Sequence, residues 1–344
     1  MNILVVNAGS SSLKLRLVGG DDAVLGSADL EADAGHVPDA ELERCLGSIG
    51  PADAVGHRVV HGGTRFNSAV VIDDETLAAL DALTELAPLH QPAAVELIRV
   101  VRRLRPDTPA VACLDTGFHT TLPPEAFTYP VPAAWRERFG LRRFGFHGLS
   151  HAWASRRVAA LIGRSDGRLV TCHLGAGASL AAVRSGVSVD TTMGFTPLDG
   201  LVMATRPGAL DPGLVLWLAA EGRVAVGDLE DQLNHGAGLQ ALAGTGDMKA
   251  VVDRTEAGEP DAALALDVYL HRLRASIAAM AAAMGGLDAL VFTGGVGERS
   301  AVVRGRAADG LEFLGVAVDA GANEAAVPDA EIGAPSAPVR TFVV

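Results

Sequence analysis

Apolar and polar positions follow two rhythms along the chain. Residues 3–6 are a short run of Ile, Leu and Val, the polar stretch NAGSSS follows, and residues 13–18 resume in strict alternation, which predicts a hairpin of two strands. A second unit of the same kind opens at Leu169, where LVTCH leads through LGAGAS into LAAVRSG. The two loops align approximately, Asn-Ala-Gly-Ser-Ser-Ser against His-Leu-Gly-Ala-Gly-Ala, so the chain reads as an internal duplication whose halves each begin with backbone N–H groups presented on a hairpin. Three-to-four spacing predicts helices over residues 74–86 and 92–104, and residues 110–114 read as a strand ending at DTGFH. In the second half helices are predicted over 151–162, around 211–221 and over 260–284, and a strand at 289–292 enters TGGVGE as a glycine-rich turn. Residues 21–50, polar and rich in Gly and Ala, and residues 325–338, rich in Ala and Pro, are expected to be peripheral.

Alternating helices and strands imply mixed sheets flanked by helices. A length of 344 residues exceeds what a single core usually reaches, so two domains with a ligand site between them are expected. The net charge of −13 argues against a nucleic-acid or anionic-membrane partner, and an anionic substrate then needs a local basic site. Cys45, Cys113 and Cys172 form no CxxC pair and no disulfide framework, which fits a cytoplasmic protein. The N-terminus lacks the pattern of a signal peptide, and the most apolar later stretch, 276–296, is interrupted by Gly285, Gly286 and Asp288, so no membrane span is expected.

Several motifs carry chemistry. In NAGSSSLK, Gly9, Ser10, Ser11 and Ser12 let the backbone approach an anion, with Lys14 a strand-step beyond; a phosphate cradle and an ordinary turn with a surface lysine both fit. In GHRVVHGG, beside His57 and His61, Arg58 is a clamp for carboxylate or phosphate, or one half of a structural ion pair. Asp115 ends a strand, where polar ligand groups gather in α/β folds; it is a metal-orienting or acid/base carboxylate, or an Asx-turn or helix cap. His147 and His151 have the i, i+4 spacing of helical metal ligands, but Gly145 and Gly148 interrupt the helix that spacing needs and no third ligand is evident. A single histidine donating to a transferring phosphoryl group is preferred to zinc. Arg206, in the turn-rich MGFTPLDGLVMATRPGALDPG, is aimed at phosphoryl charge or belongs to a surface ion pair. FTGGVGERS accepts a base or closes on a phosphate, without P-loop spacing.

In order along the chain, NAGSSSLK, GHRVVHGG, ELAPLHQP, DTGFHTTLP, FGFHGLSH, TCHLGAGAS, TMGFTPLDGL, TRPGALDPG and FTGGVGERS closely resemble the signature segments of acetate kinases, over nearly the whole chain. The resemblance implies the duplicated ribonuclease H-like α/β fold of the acetate and sugar kinase, heat-shock and actin superfamily. It implies two domains, residues 1–118 and 119–344, an active site in the interdomain cleft, and usually a homodimer. The implied reaction is reversible phosphoryl transfer between ATP and acetate, giving ADP and acetyl phosphate, with Mg2+ or Mn2+ as cofactor. By position, Asn7 matches the magnesium-linked asparagine, Lys14 a nucleotide-phosphate contact, Arg58 the substrate-binding arginine and Asp115 the active-site aspartate. His147 and Arg206 match the transition-state stabilisers. His173, Leu174, Gly175, Ala176 and Gly177 match the phosphate-side nucleotide loop, Asp247, Met248 and Lys249 a nucleoside-contact segment, and Gly295, Val296, Gly297, Glu298 and Arg299 the adenosine-side loop. Val60, Leu89, Phe146 and Pro197 coincide with the acyl pocket and have the residue types of acetate-using members.

The chain departs from the family pattern in three places. The usual HLGNGSS is HLGAGAS, with Ala176 in place of an asparagine amide, and the usual Asp-Phe-Arg is Asp247-Met248-Lys249. The sequence stops at VRTFVV, where family members continue into a glutamate-containing segment and a closing helix. Without that magnesium-linked glutamate, impaired magnesium-dependent turnover and exposed apolar surface are expected. A propionate or butyrate kinase, a kinase using another donor such as pyrophosphate, and a catalytically impaired nucleotide-binding protein are the alternatives.

Overall fold

Strand β1 (Ile3–Ala8) pairs antiparallel with β2 (Ser12–Val18), and β2 pairs antiparallel with β3 (Val24–Glu31). The alternation in β2 explains the arrangement: Leu13, Leu15 and Leu17 are buried while Lys14 faces solvent. β4 (Ala54–Val59) runs parallel to β1, and β6 (Ala110–Leu114) parallel to β4, with the two-residue β5 (Val70–Val71) at the edge, giving the order β3-β2-β1-β4-β6-β5. These strands belong to the first of two units, Met1–Thr120 and Thr121–Val344, in a computed structural model that describes residues 1–9, 12–32, 37–88 and 90–344. Ser10, Ser11 and Leu89 therefore lie outside the described residues.

The second unit repeats the topology. β7 (Arg168–Leu174), β8 (Ala178–Arg184) and β9 (Val187–Thr191) form the antiparallel meander, and β10 (Ala289–Thr293) and β12 (Arg340–Val343) add in parallel, with β11 (Ala330–Glu331) at the far edge. The order β9-β8-β7-β10-β12-β11 is that of the first sheet, strand for strand. Two copies of this sheet are the duplicated ribonuclease H-like fold. Helices Gly148–Ile162 and Pro260–Met284 pack on the second sheet, whose central strands are buried almost end to end, as parallel strands covered by helices must be. The 25-residue helix starts at Pro260, whose missing N–H is harmless in the first turn, and stops at Gly285, in the left-handed region with φ 70°.

Four local expectations are corrected. Residues 21–50 are not all peripheral: helix Asp39–Ile49 places Leu42, Leu46 and Ile49 in the core against Leu97, Val100 and Val101, a helical spacing hidden among acidic neighbours. The helix expected over 74–86 ends at Asp81, and a 3-10 turn, Thr84–Leu86, follows; the Leu80 carbonyl at the break accepts from Leu83 N–H at 3.2 Å and from Gln91 Nε2 at 2.9 Å. TGGVGE is not a turn but the start of helix Gly294–Arg299. A Cβ at Gly294, φ 78°, would lie 2.8 Å from the Leu174 carbonyl oxygen, and the Glu298 carboxylate accepts from Gly294 N–H at 3.1 Å. Residues 325–338 include β11 and the fully buried Ile332.

His57 on β4 and His61 just beyond it are buried, and desolvation pushes each down to about 4. The folded protein holds both neutral while the unfolded chain binds protons near pH 6.5. Their contribution to stability is complete above that pH and lost as pH falls toward 4, at about 1.4 kcal/mol per pH unit for each histidine. Urea unfolding midpoints are expected to fall steeply from pH 6.5 to pH 5, and less so in His57→Gln; a midpoint that stays level in that window would contradict the burial argument.

Candidate active site

In the first unit, three side chains of the predicted set meet at the carboxyl ends of neighbouring strands. Arg58, next to last in β4, donates from Nε to the Asp115 carboxylate oxygens at 3.2 and 3.0 Å, from Nη2 to Oδ2 at 2.6 Å, and from Nη1 to Asn7 Oδ1 at 3.2 Å. Asp115 follows β6 directly, and its N–H donates to the Val59 carbonyl at 2.9 Å, which continues the sheet register by one step. It is buried, and its charge raises the proton affinity of Arg58. Arg58 is therefore ion-paired, and its partner is another candidate site residue. Val60 is buried beside it, and Lys14, on β2, sits exposed between Asn7 on β1 and Asp29 on β3.

In the second unit the site forms around the loop that joins β7 to β8. A Cβ on Gly177 would lie 3.3 Å from His147 Nε2 and 3.6 Å from Arg206 Nη2, so the two side chains converge over a bare glycine. Arg206 donates from Nη1 to the Pro197 carbonyl at 2.8 Å. Among the described residues no carboxylate pairs with it, and burial lowers its proton affinity, the condition of a cation set to receive an anion. His147 adopts φ 57° at the N-cap of helix Gly148–Ile162. The expected helix start at 151 is therefore too late, because the left-handed turn at His147 lets Gly148 open the helix. The His147 and His173 rings stack with centroids 4.3 Å apart, and His173 Nδ1 bonds Ser150 Oγ at 2.8 Å. Among the described residues no group of three or more His, Cys, Asp or Glu is arranged to hold a metal.

A cavity of about 260 Å³ in the same unit joins three sequence-predicted segments: Gly175 and Ala176, Asp247 and Met248, and Val296 line it with Ala204, Leu239, Gly246 and Tyr269. Its lining mixes apolar side chains with polar groups, among them Asp247, whose carboxylate caps helix Met248–Glu256 by accepting from Lys249 N–H at 2.9 Å. Lys249 does not line it; the ammonium pairs with Asp253 at 2.6 Å on the outer face of that helix. Leu239 and Tyr269 come from distant helices, and nothing in their local sequence marks them. Arg304 was also missed. Buried completely, it donates to the carbonyls of Gly297 and Glu298 at 2.9 and 2.8 Å and to Asn323 Oδ1 and O at 2.7 Å, and so ties down the end of helix Gly294–Arg299.

A duplicated α/β fold with a glycine loop facing a desolvated arginine and a histidine defines a phosphotransferase-like protein. Residues 39–344 match the profile of the acetokinase family, and the chain belongs to that family. It is 45% identical over 304 residues to the acetate kinase of Nostoc sp. (strain PCC 7120), covering 88% of this chain and 75% of that one. It is 42% identical over 388 residues to the acetate kinase of Synechococcus sp. (strain JA-2-3B'a(2-13)), covering all of this chain and 95% of the other. Among solved structures, Porphyromonas gingivalis acetate kinase (TM-score 0.89, 33% identity) and a propionate kinase from Francisella tularensis (TM-score 0.92, 32% identity) each match 100% of this chain and 95% of theirs.

The Arg58–Asp115 pair sets a stability test. Asp115→Ala leaves the guanidinium partly buried and unpaired, and is expected to cost about 3 kcal/mol or more in urea unfolding, whereas the double variant Arg58→Met/Asp115→Leu, with both charges gone, stays close to the wild type. Equal losses in the two variants would show that the charge pairing is not the source.

Proposed function

We propose that the chain is an acetate kinase, moving the γ-phosphoryl group of ATP reversibly to acetate to give acetyl phosphate and ADP. The observation that carries this is the convergence on Gly177 of His147 Nε2 and of Arg206, which has no carboxylate partner among the described residues. One acetate oxygen attacks the γ-phosphorus in line; the bond to the β,γ-bridging oxygen breaks, and its electron pair leaves with ADP. No proton need move, since acetate is ionised at neutral pH. Arg206 and His147 then stabilise charge on the equatorial phosphoryl oxygens.

In this reading Arg58 binds the acetate carboxylate. The resemblance assigns Val60, Leu89, Phe146 and Pro197 to its methyl, and Val60 and Phe146 are buried, each within its own unit. One methylene is worth about 1–3 kcal/mol, so acetate is expected ahead of propionate. Lys14 and the loop His173, Leu174, Gly175, Ala176 and Gly177 take the nucleotide phosphates. Asp247, Met248 and Lys249 and the segment Gly295, Val296, Gly297, Glu298 and Arg299 take the nucleoside, supported by the cavity that Asp247, Met248 and Val296 share. The exposed Lys249–Asp253 pair is a weak one that a nucleotide can displace. Asn7 and Asp115 offer hard oxygen donors suited to Mg2+ or Mn2+, and two protein oxygens suffice for an ion that keeps water and phosphate as its other ligands. When bound, that ion would neutralise phosphate charge.

A coupled assay on a grid of donors and carboxylates tests the activity. ATP with acetate is expected to be the most active pair of the grid, and Arg206→Ala to lose about 10³-fold or more. A grid with no activity, or an Arg206→Ala variant as fast as the wild type, would remove the assignment.

The same chain is proposed to act as a cytoplasmic homodimer. Among the described residues no helix is long and apolar enough to cross a membrane, and the three cysteines are free thiols. Helix Pro212–Ala219 buries none of its residues, and Leu214, Leu216 and Trp217 lie exposed with Leu210 and Val226 nearby in sequence. An apolar patch of that kind fits a second copy of itself. Light scattering is expected to give twice the 35.3 kDa chain mass, and Leu216→Glu/Trp217→Glu to give the monomer; a monomeric wild type at micromolar concentration would contradict the proposal.

A further inference from the structure

The two histidines of FGFHGLSH meet at one hydroxyl group. Ser179 Oγ lies 2.9 Å from His147 Nδ1 and 2.8 Å from His151 Nε2. His151 Nδ1 in turn lies 2.8 Å from Thr171 Oγ1, whose hydroxyl donates to the Ala181 carbonyl at 3.5 Å. Ser179 is on β8, Thr171 on β7 and His151 in the first turn of helix Gly148–Ile162, and all three are completely buried. The four side chains form one hydrogen-bonded row that begins in the core of the second sheet and ends on the ring facing Gly177.

A buried imidazole and two buried hydroxyls each carry a desolvation cost that only hydrogen bonding offsets, and apolar side chains of similar volume would fill the space without it. What the polar row adds is direction. The His173 ring, 4.3 Å away between centroids and tilted by 31°, packs on the His147 ring but does not decide which of Cε1 and Nε2 takes which place along the edge facing the loop. A half-turn about χ2 exchanges Nδ1 with Cδ2 and Nε2 with Cε1, and both Nε2 and Cε1 lie 3.3 Å from the Cβ position of Gly177. Packing around Gly177 therefore tolerates either orientation, and the hydrogen bond between His147 Nδ1 and Ser179 Oγ selects one. His151, pinned by Thr171, holds Ser179 Oγ in the plane where it can reach Nδ1. The strained φ of His147 brings the ring to this point and persists because the surroundings over-determine it.

We propose that Ser179, backed by His151 and Thr171, is a positioning residue for phosphoryl transfer: by engaging His147 Nδ1 it fixes the place Nε2 takes along the ring edge facing Gly177, and so where that atom meets the transferring group. The proposal rests on the reading of His147 as a phosphoryl ligand. Loss of the hydroxyl removes the hydrogen bond that favours one orientation of the ring, so Ser179→Ala is expected to lower kcat about 10- to 100-fold, the scale of a misaligned catalytic group, with KM for ATP and acetate within about threefold of the wild type. Ser179→Cys, nearly the same size and a weak hydrogen-bonding group, should fall between the two and serves if the alanine variant folds poorly.

A double-mutant cycle separates positioning from general damage. In a His147→Ala background Ser179→Ala should have no further effect on kcat, because its only route to the chemistry is gone. A wild-type kcat in Ser179→Ala beside an impaired His147→Ala overturns the proposal alone, as does a Ser179→Ala loss that persists undiminished in the His147→Ala background. A wild-type kcat in His147→Ala overturns the underlying reading of His147 and the proposal with it.

Discussion

Arg206 is a guanidinium held half out of water with no carboxylate beside it among the described residues, in a chain whose net charge is −13. An acidic chain offers forty-one carboxylates against twenty-eight Lys and Arg, so an arginine left without one has to be kept apart by its surroundings. The loop that carries it does this with backbone rather than charge: Pro197 lends a carbonyl to Nη1, and Met203 and Arg206 bond one another through N–H and carbonyl at 3.0 Å. A carbonyl dipole orients a guanidinium without neutralising it. The charge stays available to an anion, and Gly177, with no side chain to fill the space, leaves room for one.

The two units share a sheet topology and use it for opposite electrostatic ends. In the first, the last positions of β4 and the residue after β6 bring Arg58 and Asp115 into a bidentate pair, so the cation is balanced before any ligand arrives. In the second, the corresponding β10 ends in Thr293 and enters a glycine helix, and the cation comes instead from a loop outside the sheet. A balanced arginine suits a singly charged carboxylate, which exchanges one carboxylate partner for another. An unbalanced one suits the greater charge of a phosphoryl group in transfer. The duplicated fold thus supplies comparable positions, and the proposed function draws its cation from a strand end in the first unit and from an added loop in the second.

What could be read from the sequence follows from how local each feature is. The hairpins were legible because a period of two is a property of neighbours, and the helix Pro260–Met284 because Pro and Gly mark its ends. TGGVGE was misread because glycines ordinarily mean a turn, whereas Gly294 is required here for its approach to Leu174, 120 residues away in sequence. Asp115, Arg58, His147 and Arg206 stood out as chemistry-bearing residues in small-residue loops. Ser179 did not, since one serine in a buried strand has no local mark; its meaning depends on two histidines brought over it by the helix Gly148–Ile162. Tyr269 and Leu239 in the cavity wall, and Arg304 behind Gly297, are legible only from tertiary contacts.

The departures of the nucleotide segments from the family pattern acquire a physical meaning in the cavity itself. Ala176 and Met248 line a space with Ala204, Leu239, Val296 and Tyr269, where an asparagine amide in place of Ala176 would need a hydrogen-bonding partner once buried. With Ala176 in place of that amide and Met248 in place of the family's aromatic, the proposed binding of a flat ring rests at these two positions on contact area rather than hydrogen bonds. Direction in this site then comes from elsewhere: from Asp247 at a helix N-terminus, and from the backbone of Gly294–Arg299, which Arg304 holds in place by its carbonyls. The same division recurs at His147, where the His173 ring packs on it and a single hydroxyl sets the orientation. In both places apolar contact provides the room, and one buried polar anchor decides how that room is used.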